Sequence, residues 1–191
     1  MITIGITGGI GSGKTTICEV FKTFGIPVYY SDLHARYLTD NDKSIRDGIC
    51  DLLGSDVFFE GKLDRKKVAE RVFNDRVLLD RLNGIIHPVV EKDFENWRNK
   101  HAETPIVLKE AAILFECGGY KAMDLNILVV APEDLRINRV MKRDGVTKEL
   151  VLHRMKNQWD DDKKKNLADC IIRCNEKDLV VPQVIKILNH I

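Results

Sequence analysis

The sequence predicts an α/β fold, a parallel sheet with helices on both faces, interrupted by a helical insert and completed by a helical hairpin. Three observations carry this. Short apolar strands alternate with amphipathic helices along the chain. A glycine-rich loop stands between the first strand and the first helix. Residues 125–131 are apolar almost without alternation, as in a strand buried on both faces.

The elements follow in order. Ile2, Ile4 and Ile6 make the first strand. Gly8-Gly9-Ile10-Gly11-Ser12-Gly13-Lys14-Thr15 then reads as G-x-x-x-x-G-K-[ST], with a helix opening at Lys14. Ile17, Val20, Phe21 and Phe24 give that helix one apolar face, and Gly25 ends it. Residues 27–30 form a second short strand, with Ser31 and Asp32 at its carboxyl end. Ligands of open α/β sheets sit beyond that end, so Asp32 is expected to face the same cleft as the glycine loop.

Residues 33 to about 101 read as mostly helical. Ile45, Ile49, Leu52 and Leu53 form one stripe, stopped by Gly54. Val57-Phe58-Phe59 with Gly61 reads as a short irregular piece. Asp64 can cap a helix carrying Val68 and Val72. Leu78, Leu82, Ile85 and Ile86 mark the next helix, which His87-Pro88 is expected to interrupt. Val90, Phe94 and Trp97 resume an apolar face. So long a crossover implies an inserted helical subdomain.

Ile106 to Leu108 is a third strand, followed by the acid Glu110. After the strand at 125–131, Pro132 at the first helical position, with Glu133 and Asp134 next, starts a helix. On it Arg136, Arg139 and Arg143 share a face. Asp144-Gly145 turns the chain, and Thr147 caps a return helix carrying Val151, Met155 and Gln158. A last strand spans 170–174, and Val184, Ile187 and Leu188 belong to a closing helix. The whole reads as one domain over 1–191, with a core of 1–32, 104–135 and 166–191. The insert takes about 33–103 and the hairpin, a lid, about 136–165.

Composition narrows the function. The chain has 191 residues, 44% of them hydrophobic and 31% charged, enough to bury a core. A net charge of +1 offers no bulk attraction to nucleic acid or to an anionic membrane. No apolar run approaches the ~20 residues of a membrane span, and the N-terminus lacks the apolar core of a signal peptide. The five cysteines are odd in number and scattered, with no C-x-x-C, and Cys170 and Cys174 read as small core residues. A cytoplasmic protein, a monomer or weak homo-oligomer, is expected.

The glycine loop must turn backbone N–H groups onto a polyphosphate, backed by the partial positive charge of the helix N-terminus. Lys14 adds a mobile charge, and the Thr15 hydroxyl is placed for Mg²⁺. The nucleotide-binding set is Gly9, Ile10, Gly11, Ser12, Gly13, Lys14, Thr15 and Thr16. Asp32 is either an acceptor base or the N-cap of a helix beginning at Leu33. The arginine face 136/139/143 is either a lid closing on the transferred group or a solvated basic face. His87 reads on spacing as a helix-junction residue. The block Asp160-Asp161-Asp162-Lys163-Lys164-Lys165 reads as a solvated helical segment with internal ion pairs. Guanine specificity would need N-K-x-D, and Asn99-Lys100-His101-Ala102 fails at its last letter. Asp51-Leu52-Leu53-Gly54 matches the GTPase D-x-x-G string but sits on a helix end, against a switch GTPase.

Thr7-Gly8-Gly9-Ile10-Gly11-Ser12-Gly13-Lys14-Thr15 resembles the T-G-G-I-G-S-G-K-[ST] of the dephospho-CoA kinase family. Asp32-Leu33-His34-Ala35-Arg36 is similar to its D-x-x-A-R, and Leu82-Asn83-Gly84-Ile85-Ile86-His87-Pro88 to its L-x-x-[IL]-[IL]-H-P. Leu114-Phe115-Glu116, Arg139, Arg143-Asp144-Gly145, Gln158, and Ala168-Asp169 with Asn175 continue the resemblance in order. Glu110 stands where the family usually has Asp, and Ala112 where it has Pro. The resemblance implies a P-loop kinase core, ATP and Mg²⁺ as cofactors, and transfer to the ribose 3′-hydroxyl of dephospho-CoA, the last step of coenzyme A synthesis. It makes Asp32 the base, Lys14, Arg139 and Arg143 catalytic, and Asn175 part of the nucleotide site. Arg36, Arg65, Arg71 and His87 with Asp32 would hold the acceptor in the insert. Another P-loop small-molecule or nucleoside-monophosphate kinase is the alternative, and a nucleotide-dependent binding protein a more distant one.

Overall fold

A computed structural model describes residues 1–72 and 75–191. In chain order the elements are β1 (Ile2–Thr7), α1 (Lys14–Thr23), β2 (Val28–Tyr30), α2 (Ser31–Asn41), α3 (Lys43–Leu53), β3 (Phe58–Phe59) and β4 (Lys62–Leu63). Then come α4 (Arg65–Val72), α5 (Arg76–Lys100), β5 (Ile106–Glu110), β6 (Leu125–Val130), α6 (Glu133–Asp144), α7 (Lys148–Lys156), α8 (Asp161–Lys165), β7 (Cys170–Arg173) and α9 (Val180–Leu188). They fall into two compact units, Met1–Tyr30 with His101–Ile191, and Ser31–Lys100.

The first unit is a five-stranded sheet in the order β2-β5-β1-β6-β7. Every pairing is parallel, so the carboxyl ends of the strands share one edge. In that register Glu110 ends β5 between Ile6 of β1 and Tyr30 of β2. Ile4, Ile6, Leu108, Ile127, Val129 and Ile172 from the strands meet Ile17, Phe21, Val184 and Ile187 from the helices in one buried cluster. Each such side chain contributes about 1.5–3 kcal/mol over its exposed state. Cys18 and Cys174 belong to this core. Phe24, expected on the apolar stripe of α1, is 45% exposed. It is the C-cap, with φ −92° and ψ 11°, so the helical rotation has already ended there. Pro132 likewise precedes its helix, as the N-cap of α6 with ψ 141°. At the border strand β7, the Gln183 side chain of α9 pairs both Arg173 backbone groups, accepting from N–H at 2.9 Å and donating to C=O at 2.9 Å.

The second unit carries its own core of Ile45, Ile49, Leu53, Val57, Leu63, Val68, Val72 and Leu82. Asp42 caps α3 by accepting from the N–H groups of Ser44 and Ile45. Asp64 caps α4 by accepting from Lys67 N–H. The piece after Val57 is more regular than expected. Phe58–Phe59 and Lys62–Leu63 form an antiparallel hairpin. Glu60 (φ 47°) and Gly61 (φ 81°) supply the two left-handed positions that a two-residue hairpin turn requires.

His87-Pro88 does not interrupt its helix: α5 runs 25 residues through Pro88. An internal proline deletes one N–H and presses on the carbonyl four residues back, at a cost of about 3 kcal/mol. Here Leu82 before the proline and Val89 after it are held on the same apolar cluster. Burial on both sides of the defect keeps the two halves aligned. No helix of the described residues is long and apolar enough to cross a membrane.

Candidate active site

The loop after β1 passes close to α6. A Cβ at Gly9 would collide with the Arg136 guanidinium, and one at Gly11 (φ 78°) would stand 2.5 Å from Arg136 O. Glycine is therefore required twice over, for approach and for backbone angle. Gly13, with φ 98°, is the N-cap of α1 and offers no side-chain cap. The first amides of α1 thus point out of the helix without intrahelical acceptors, the arrangement that binds phosphate. The Ser12 hydroxyl is buried with no partner among the described residues. Thr15 and Thr16 are exposed in the first turn.

Lys14 Nζ donates to Gly8 O at 2.9 Å and lies 4.0 Å from Glu110 Oε1. Both side chains are about nine-tenths buried, 11% and 10% exposed. A buried cation facing a carboxylate at the carboxyl edge of a parallel sheet can bind a polyphosphate and its metal together. Burial, then the charge of Glu110, pushes the Cys18 thiol up, so it stays a neutral packing group.

The three arginines of α6 separate. Arg136 is buried, its Nε donating to Ile10 O at 3.0 Å and its Nη1 to Asp161 at 3.2 Å. Arg139 Nη1 donates to Cys174 O at 3.1 Å and Gly11 O at 3.3 Å. Arg143 is exposed and forks onto Asp144, whose carboxyl it holds below the usual range. The solvated-face reading fails for the first two, which lie against the loop. Asn175 shapes the turn after β7, accepting from Lys177 and Asp178 N–H and donating to Asp178 Oδ2.

Two other expectations need correction. Gln158 lies beyond α7 rather than on it. The Asp160-to-Lys165 block is not merely a solvated segment. Asp160 caps α8, Asp161 pairs with Arg136, and Lys164 is fully buried at 2.8 Å from Glu116 Oε1. Glu116 Oε1 also accepts from Trp159 N–H at 3.0 Å. Run composition hid these partners, because Asp161 and Lys164, three residues apart on one helix face, turn inward while Asp162, Lys163 and Lys165 stay exposed. The i, i+3 spacing of Arg136 with Arg139 was the one available signal for the loop contact.

In the second unit, Asp32 lies inside the first turn of α2, so it is not the N-cap of a helix starting at Leu33. Its side chain is exposed, with no hydrogen bond or ion pair among the described residues. Arg36 is exposed on the same helix. Arg65 Nη2 donates to Asp40 at 2.8 Å and to Arg36 O at 3.0 Å. Arg71 forks onto Asp56 and reaches Leu53 O. Arg71, then Lys67, holds the Asp56 carboxyl far below its ordinary value. His87 is half-buried in α5, one residue before Pro88. Arg36 and Arg65 are thus neighbours, while Arg71 is tied elsewhere in the unit.

With this loop, lysine and carboxylate in place, residues 2–179 match the family model of dephospho-CoA kinase. The chain belongs to the dephospho-CoA kinase family. A family member from Porphyromonas gingivalis is 42% identical, covering 100% of this chain and 95% of its own. One from Salinibacter ruber is 39% identical over 90% of this chain and 88% of its own. Among solved structures, a Thermus thermophilus protein superposes with a TM-score of 0.88 at 31% identity, covering 99% of this chain and 96% of its own. Dephospho-CoA kinase from Campylobacter jejuni gives 0.69 at 26%, covering 98% and 96%. Shikimate kinase from Acinetobacter baumannii, at 0.53 and 16%, shares the fold.

Proposed function

We infer that the protein transfers the γ-phosphoryl group of ATP to dephospho-CoA, giving coenzyme A and ADP. The observation that carries this is family membership over nearly the whole chain, joined to a glycine loop whose lysine stands 4.0 Å from a buried carboxylate. Phosphoryl transfer asks a protein mainly for position and charge. Gly9, Ile10, Gly11, Ser12, Gly13, Lys14, Thr15 and Thr16 form the phosphate cradle in this reading, and Asn175 borders the nucleotide. Asp32, two residues beyond β2, takes the proton of the ribose 3′-hydroxyl as the bond to phosphorus forms.

An all-oxygen donor set, the Thr15 hydroxyl and the Glu110 carboxylate that faces Lys14, suits Mg²⁺. The bound ion would neutralise phosphate charge. Arg139 and Arg143 supply cations as the hairpin closes. Arg36, Arg65, Arg71 and His87 make the acceptor side, where Arg65 and Arg71 exchange Asp40 and Asp56 for phosphate oxygens. The reaction belongs in the cytoplasm, a setting the unpaired state of Cys18, Cys50, Cys117, Cys170 and Cys174 supports.

Purified protein with Mg-ATP should form ADP with dephospho-CoA far faster than with AMP, shikimate or adenosine. Equal or greater turnover with another acceptor would overturn the assignment. Arg139→Ala should lower kcat by about 10²-fold, as loss of a donor to developing charge does. It should weaken ATP binding less than tenfold on the same argument. An unchanged kcat would confine Arg139 to bracing the loop.

A further inference from the structure

Ile10 is the central residue of the glycine loop, and the protein holds it on three sides. Its side chain packs against Ile137, Val140 and Val151 in the core of the α6–α7 hairpin. Its carbonyl accepts from Arg136 Nε at 3.0 Å. Its N–H donates to Gln158 Oε1 at 2.8 Å. The same Gln158 amide donates through Nε2 to Ala112 O at 3.2 Å, an oxygen that Thr7 Oγ1 also approaches at 3.4 Å. One side chain therefore ties the loop to the segment leaving β5, next to Glu110. Arg136 is fixed in turn by Asp161, so both grips on Ile10 come from chain at or beyond α6.

We propose that Gln158 is a positioning residue for nucleotide binding, which sets the curvature of the phosphate loop by holding the Ile10 peptide against Ala112. The proposal rests on the kinase reading above. Phosphate-binding amides work only if they converge before the ligand arrives, and a loop rich in glycine has little stiffness of its own. With the N–H of the Gly9–Ile10 peptide held by Gln158 and the C=O of the Ile10–Gly11 peptide held by Arg136, neither peptide can flip, and the amides that follow keep their direction. Gln158 touches no reacting atom in this scheme; it acts through the loop.

The test uses the full chain and reads nucleotide binding directly, without an acceptor, so it is independent of which acceptor the enzyme uses. Gln158→Met keeps the length of the side chain and deletes both hydrogen bonds. Calorimetry with Mg-ADP should show affinity weakened about tenfold, the effect of leaving one half-buried amide unpaired. In turnover, KM for ATP should rise by a similar factor while KM for dephospho-CoA stays at the parent value. An unchanged Mg-ADP affinity, or equal rises in both KM values, would overturn the proposal. Gln158→Glu supplies the second arm. Its carboxylate cannot donate to Ala112 O, but its protonated form can, so Mg-ADP affinity relative to the parent should recover as pH falls through the ordinary glutamate range, about 4–5. A ratio to the parent that does not change with pH would also overturn it.

Discussion

An Asp32→Asn variant should fold, bind ATP like the parent and turn over about 10²–10⁴-fold more slowly. The substitution keeps the shape of the side chain and removes its basicity. Structural damage is not expected, because the Asp32 carboxylate is exposed and unpartnered among the described residues. Its one structural contribution is a negative charge in the first turn of α2, worth about 0.3–1 kcal/mol. Thermal unfolding and ATP affinity measured beside kcat separate the roles. Parent-rate turnover would remove Asp32 from the chemistry. A large fall in Tm with proportional loss of active protein would make it a helix residue only.

Lys164→Met should be the most destabilising of the single substitutions considered. Lys164 is fully exposed to protein and not to water, and its ammonium sits 2.8 Å from Glu116, itself only 13% exposed. Removing one partner leaves the other charge buried, a loss of roughly 3–5 kcal/mol. For a chain of this size that lowers Tm by about 6–20 °C. The double variant Lys164→Met with Glu116→Gln should recover most of the loss, since removing both charges is often neutral. Thermal denaturation of the parent, both single variants and the double variant gives the coupling. If the double variant loses the sum of the single effects, the ion pair contributes nothing as a pair.

Much of the first unit was legible from spacing. The glycine loop declared itself, and Ile4, Ile6 and the run through Val129 marked strands because a parallel sheet buried on both faces needs continuous apolar side chains. Pro88 misled, since local backbone preference points to a break while the Leu82–Val89 packing that overrides it is tertiary. The hairpin around Glu60 was too short for alternation to register. In the site, Lys14 and Glu110 were legible as types, but not their pairing, which depends on the β1–β5 register. The charge block concealed Lys164, because a lysine among lysines looks solvated until a carboxylate such as Glu116 is folded over it. Arg136 was seen only as one of three equals, yet its neighbours divide it from Arg143.

The Gln183 amide on the rim of the sheet has a consequence for self-association. Arg173 presents a main-chain donor and acceptor on the outer side of β7, where an incoming strand would pair. Both are already engaged by a helix of the same molecule. Lateral addition at this end of β7 must therefore prise that amide away, an obstacle present before any neighbour arrives.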